Sequence, residues 1–437
     1  MSAVLLVDFG STFTKGALVD TASARLLGTA ATPTTLGTDL LDGHDVLRER
    51  LRVPPATPTV ACSSAGGGLR LAVVGYERQV TAEAGRRVGL TAGARVVHVA
   101  AGRLDAAAVT ALRASRPDLV LLVGGTDGGN ADVLLHNATR LARARVAVPV
   151  VVAGNVAVRG EVAAALAETG RRHALTDNVV PQIGVIAPDG ARAAIRAAFL
   201  EHVIGGKGLS RGPRFAHLVR EPTPDAVLRG AEVLAQAYGS DALVIDIGGA
   251  TTDVYSCLSP AGEDAGLRKE VVAPLWHARS VEADLGMRWN ADGVLEAAAA
   301  EGLGVTSGLP AYAGWLSGRP GHVPTAAPER ALDLELATLA AVVAVRRHAR
   351  PALSGERPRP LGDVGLVLGS GGVLRHNDPV AVRRVLDAVT TDRGGGWPLP
   401  RAARTAVDTA YLLFAVGLLA VEEPALATAL AQQILEP

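Results

Sequence analysis

Cysteine, aromatic residues and lysine are scarce in this chain, and each scarcity closes off a class of explanation. The two cysteines, Cys62 and Cys257, lie far apart without a CxxC pair. They therefore suggest neither a disulfide scaffold nor a zinc site, and fit a reducing cytoplasm. Aromatics make up 3% of the residues, too few for base-stacking platforms. Charge of either sign is not in excess: 43 basic residues cancel 43 acidic ones. No overall field favours nucleic acid or an anionic membrane, and neither is expected as a partner. The longest apolar run, Ala410 to Val421, is too short to span a bilayer and predicts a buried helix. The chain opens directly on a strand pattern, so no signal peptide is expected. Lysine occurs only at positions 15, 207 and 269.

What is abundant is glycine, and it falls in a pattern. Ala242 to Asp246 reads as a buried strand ending in an acid. It is followed by Gly248, Gly249, Ala250, Thr251 and Thr252, a second acid at Asp253, and a returning strand through Val254 and Tyr255. Adjacent glycines let backbone N–H groups approach an anion, and threonine hydroxyls add donors. A carboxylate at a buried strand end needs a counter-ion, and hydrated Mg²⁺ suits Asp246. About 240 residues earlier the design occurs first: Val4 to Asp8, then Phe9, Gly10, Ser11, Thr12, Phe13, Thr14 and Lys15, then a returning strand to Asp20. Such a repeat predicts two similar half-domains facing one cleft. Lys15 stands where a phosphate would lie, although a solvated hairpin lysine is also ordinary. A third glycine turn, Gly369, Ser370, Gly371 and Gly372, follows the strand pattern Gly365 to Leu368.

At 437 residues the chain has room for two or three domains. Between the two hairpins, helix patterns at 37–51, 81–88, 105–115, 131–143, 159–169 and 190–204 alternate with strand patterns at 60–64, 69–74, 96–100, 118–123, 148–153 and 179–186. The strand at 118–123 opens into Gly124-Gly125-Thr126-Asp127-Gly128-Gly129-Asn130, a place where α/β folds put chemistry. Thr126 or Asp127 would face a γ-phosphate and orient water; alternatively Asp127 only caps the turn. Gly205-Gly206-Lys207-Gly208 lacks P-loop spacing and reads as a hinge or exposed loop. Thr223 to Tyr238 reads as a helix capped by Thr223, with Pro224 at its first position. Beyond Ser256 the pattern is looser until Lys269 to Ala273. Helices are expected at 292–301, 329–350, 379–389 and 405–421, with a Pro/Arg linker at 351–360.

DFGSTFTK, DIGGATTD and GSGG resemble the two phosphate motifs and the adenosine motif of the actin, heat-shock chaperone and sugar-kinase ATPases. Together with GGTDGGN and the Arg279–Arg288 segment RSVEADLGMR, they more closely resemble the MutL family of glutamate mutase accessory proteins, which is distinct from the mismatch-repair protein of that name. The resemblance implies an α/β fold of two actin-like (ribonuclease H-like) halves, at 1–240 and 241–437. It implies ATP and Mg²⁺, with Asp8 and Asp246 holding the metal largely through water. Residues Gly10, Ser11, Thr12, Thr14, Lys15, Gly248, Gly249, Thr251, Thr252 and Asp253 would surround the phosphates, and Gly369, Ser370, Gly371 and Gly372 the adenosine. Glu282 or Asp284 would approach the nucleotide. The implied partner is an adenosylcobalamin-dependent mutase whose damaged cofactor is exchanged, and the accessory protein could itself be a homodimer. A small-molecule kinase using Asp127 as base is the alternative. An iron–sulfur activator or a filament protein fits less well.

Overall fold

The computed structural model describes residues 3–144, 146–206, 208–260, 275–351 and 357–436. Lys207 and Lys269 to Ala273 lie outside these, as does part of the 351–360 linker. The first strands are β1 (Ala3–Phe9), β2 (Phe13–Asp20), β3 (Arg25–Pro33) and β4 (Thr59–Ser63). An insertion then supplies β5 (Arg70–Gly75), β6 (Arg95–Ala101), β7 (Leu119–Leu122), β8 (Val150–Val152) and β9 (His173–Leu175). The chain returns through β10 (Val219–Pro222), which completes a sheet of order β10-β4-β1-β2-β3. The last strands are β11 (Ala242–Ile247), β12 (Thr252–Cys257), β13 (His277–Glu282), β14 (Leu366–Ser370) and β15 (Arg404–Val407), in the order β13-β12-β11-β14-β15.

These two sheets have one plan. Each begins with an antiparallel meander of three strands, and two further strands then join the far side of the first strand in parallel. This is the ribonuclease H-like plan of actin-type half-domains, used twice. The inserted sheet differs: all five strands are parallel in the order β6-β5-β7-β8-β9. That doubly wound order reverses direction between β5 and β7.

The two repeated sheets are held together by an apolar layer. Val4, Leu6 and Ala17 of one sheet and Val244, Leu366 and Leu368 of the other share a core with the helices Thr223–Tyr238 and Leu413–Leu419. Those helices cross at backbone distance. A Cβ built on Gly230 would lie 2.0 Å from the Leu413 carbonyl oxygen, and one on Gly417 would lie 1.8 Å from that of Ala226. Among the described residues no helix is long and apolar enough to cross a membrane.

Two expectations fail for definite reasons. Residues 179–186 are a loop, and the edge strand comes earlier, at His173–Leu175. Val179 and Val180 are buried as expected of a strand, but Pro181 has no N–H for a ladder and Asn178 Oδ1 accepts the Val180 N–H. The expected helix at 405–421 is a strand and then a shorter helix, Leu413–Leu419. Tyr411 takes a left-handed φ of 55° between them, breaking the helix. The Gly230–Gly417 crossing makes a firm prediction. Gly417→Val should destabilise the protein by about 1–3 kcal/mol or more in denaturant melts, whereas an equal change at Gly304, which has nothing around it, should cost far less.

Candidate functional site

Both acid-bearing hairpins form, and they meet at their tips. In the first, β1 pairs with β2 so that Asp8 stands opposite Lys15. Gly10 makes the turn possible, since a Cβ there would sit 2.6 Å from the Phe13 carbonyl oxygen, to which the Gly10 N–H is bonded. In the second, Asp246 stands opposite Asp253, and the Gly248 N–H closes the turn on the Thr251 carbonyl at 2.9 Å. A Cβ built on Gly249 would lie 3.9 Å from Thr12 Oγ1, which fixes how closely the tips approach.

Asp8 is buried and its carboxylate is held from three parts of the chain. Thr223 donates to Oδ1 at 2.6 Å, the Tyr411 hydroxyl donates to Oδ2 at 3.2 Å, and Lys15 Nζ lies 3.8 Å from Oδ2. Lys15 also sits 3.6 Å above the Tyr411 ring, and the Arg375 guanidinium lies 5.1 Å from that ring. Burial, with Asp8 beside it, pushes the Tyr411 phenol well up, so its hydroxyl remains a donor. Asp246 is less well compensated. Removal from water pushes its carboxyl up to about 6; Asp253 and Asp8 push the same way, while Lys15 and a hydrogen bond from Ser370 oppose.

The remaining expected residues divide into those around the cleft and those committed elsewhere. Ser370 stands beside Asp246 in register, and Gly371 packs on the Ile247 carbonyl at a φ of 107° that suits glycine. Gly372 opens a short helix, Gly372–Arg375, with space around it, whereas Gly369 lies inside β14 against Leu374 and Leu386. Ser11 and Thr12 are exposed at the first tip. Thr14, expected at the phosphates, is buried facing Thr34. Thr251 donates to Asp253 Oδ2 at 2.8 Å, and the buried Thr252 donates to the Leu285 carbonyl at 2.7 Å. Their hydroxyls are thus engaged within the hairpin. Asp253 is clamped by Arg279, whose Nε and Nη2 reach Oδ1 at 2.9 and 2.6 Å. Glu282 and Asp284 both bond Arg347.

Thr126 and Asp127 are not brought to this cluster. Asp127 Oδ1 accepts from the Val156 N–H and Asn178 Nδ2, within the inserted unit. Their turn follows the carboxyl end of β7, whereas the inserted unit meets β13 through the helix Glu83–Thr91 and the loop before β6, where Arg279 Nη1 donates to the Leu90 and Ala94 carbonyls. The base that the kinase alternative named is thus hydrogen-bonded within the inserted unit. Thr223 is not the expected cap either: the cap position is Pro222, and the threonine hydroxyl serves Asp8 instead. The sequence reading missed Tyr411, Arg375 and Asp408. Asp408 is buried where its carboxylate accepts the Leu412 and Leu413 N–H groups and orients the Tyr411 turn.

The profile of the family described as MutL protein matches residues 4–435. The protein MutL of Clostridium tetanomorphum is 35% identical over 450 residues, covering 97% of each chain. Solved structures overlap more loosely. Component A of the Acidaminococcus fermentans (R)-2-hydroxyglutaryl-CoA dehydratase is 9% identical with a TM-score of 0.31, each chain fully covered. The xylulose kinase of Rhodospirillum rubrum is 14% identical with a TM-score of 0.35, covering 98% of this chain and 92% of that one.

The strain on Asp246 can be measured. Its folded-state value, about 6, stands above the ordinary 3.8. The native state therefore holds this proton more tightly than the unfolded chain, and ligand-free stability falls as pH rises through that interval. Asp246→Asn should melt above wild type near neutral pH, with the gap narrowing as pH falls through about 6. Thermal melts showing parallel pH dependence in the two proteins would contradict this assignment.

Proposed function

This chain belongs to the MutL family, and from that premise we propose that it binds and hydrolyses ATP between its two halves, residues 1–240 and 241–437, and uses the cycle to remodel an adenosylcobalamin-dependent mutase of the glutamate mutase kind. The observation that carries the reading is the facing pair of glycine hairpins, each with an acid at its base and one lysine between them.

The residues suit a phosphate-bound divalent cation. Asp246 carries charge that the surrounding protein compensates poorly, as its raised titration reports. Among the described residues no three His, Cys, Asp or Glu side chains converge as a metal cage, so a cation here would draw most of its ligands from water and phosphate. Mg²⁺, when bound, would neutralise charge on the β- and γ-phosphates. Asp8 and Asp246 would hold it through water, and Lys15 would offer a compact positive charge to the same phosphates. At the tips, N–H groups of residues 10–12 and 248–250 and the hydroxyls of Ser11 and Thr12 would line the phosphates. Gly371 and Gly372 would let the adenosine approach β14 without a side chain in the way. Hydrolysis then needs positioning and charge stabilisation more than covalent help from the protein. Losing the γ-phosphate removes what bridges the two hairpins, and the halves can reorient. The cobalamin mutase partner rests on the family alone.

Phosphate release from Mg-ATP by wild type and by Asp246→Ala tests the first part. Acceptor-free hydrolysis should fall at least about 100-fold in the variant. Turnover appearing only with a hydroxylated acceptor would replace this reading with a kinase. ATP-dependent release of damaged cobalamin from an inactivated mutase tests the second part, and release equal without ATP would reject it.

A further inference from the structure

Lys15 is a flexible cation on β2, and its one nearby acid does not fix where it points. Its Nζ lies 3.8 Å from Asp8 Oδ2, beyond hydrogen-bonding distance, and its side chain is one-quarter exposed. An ammonium on a four-carbon stem has no fork geometry to hold it in one place. The Tyr411 ring is what it rests on. The ring centroid is 3.6 Å from Nζ, well inside the range at which an aromatic face attracts a cation.

That ring is held from several sides. Tyr411 is buried, and its left-handed backbone is set by the turn around it. The Asp408 carboxylate accepts the N–H groups of Leu412 and Leu413, and the Asp408 carbonyl accepts that of Tyr411 at 3.2 Å. Asp408 in turn donates its N–H to the Gly369 carbonyl at 2.9 Å, and Arg375 Nε donates to the Thr409 carbonyl at 3.0 Å. The Phe414 ring packs against Tyr411 with centroids 5.4 Å apart, and the hydroxyl donated to Asp8 anchors its tip. The turn is therefore fastened to β14 of the last sheet, whereas Asp8 and Lys15 belong to the first. A lysine of one sheet is seated on an aromatic ring supplied by the other.

From this seat we infer that Tyr411 is a positioning residue of the hairpin cleft: its ring, more than Asp8, sets where the Lys15 ammonium stands. That the ammonium is thereby aimed at a phosphate rests on the ATP reading proposed for the same cleft. Because the chain has only three lysines, lysine labelled with carbon-13 at Cε gives three signals, and Lys15→Arg assigns one of them. In nucleotide-free protein the ring current should shift the Lys15 methylene protons upfield. Tyr411→Phe should keep that shift, and Tyr411→Leu should lose it. A Lys15 signal unshifted in wild type, or left in place by Tyr411→Leu, would overturn the seat, and the first of these outcomes requires no variant to fold. Mg-ATP kinetics give a second readout. If the ring acts through the lysine, Tyr411→Leu should lower kcat/KM at least about tenfold in the wild-type background and far less in a Lys15→Gln background. Equal losses in both backgrounds would make Tyr411 a merely structural residue. A shifted, Tyr411-dependent Lys15 signal in a protein that neither binds nor turns over Mg-ATP would reject the ATPase reading while supporting the seat.

Discussion

Like charges gathered where water is scarce are what the rest of this molecule must accommodate. Asp8, Asp246 and Asp253 come together because two hairpins of the same design face each other across one cleft. Burial costs Asp246 its hydration, and Asp253 and Asp8 further disfavour its ionisation. The protein answers unevenly. Asp253 receives an arginine held on two of its nitrogens, Asp8 receives two hydroxyls and a lysine at a distance, and Asp246 is left pushed up to about 6. The compensation decreases toward the place where an added cation would do most good.

That unevenness also explains how much could be read from the sequence. The strands ending in acid, the glycine turns behind them and the repeat of the pattern are all local, and each formed close to where the periodicity put it. The helix at Thr223–Tyr238 was legible for the same reason, since Pro224 marks its start; in the structure a left-handed Gly239 ends it. What surrounds Asp8 was not legible. Thr223 and Tyr411 reach it from 215 and 403 residues away, and no spacing rule connects them. Tyr411 in particular sits inside an apolar run that reads as helix, and only its left-handed backbone turns the hydroxyl to Asp8.

The threonines of the second hairpin show a subtler limit. Thr251 and Thr252 look alike as phosphate donors in the sequence. A strand sends successive side chains to opposite faces, however, and Thr252 begins β12 facing the Leu285 carbonyl. Glycine motifs are ambiguous in a similar way. Gly124 to Asn130 has the look of a phosphate loop, yet Asn155 and Asn178 tie it into its own sheet. Glycine content records that backbone must come close to something, and only the fold says to what.

The hydroxyl joining Thr223 to Asp8 has a mechanical meaning. Thr223 is the first residue of a helix 16 residues long, a rod of about 24 Å, whose far end leads through Gly239 into β11 and so to Asp246. One acid is thus tethered to the base of the strand that carries the other. The crossing at Gly230 and Gly417 pins this rod at backbone distance partway along, so one stiff helix spans from the first carboxylate to the root of the strand that carries the second.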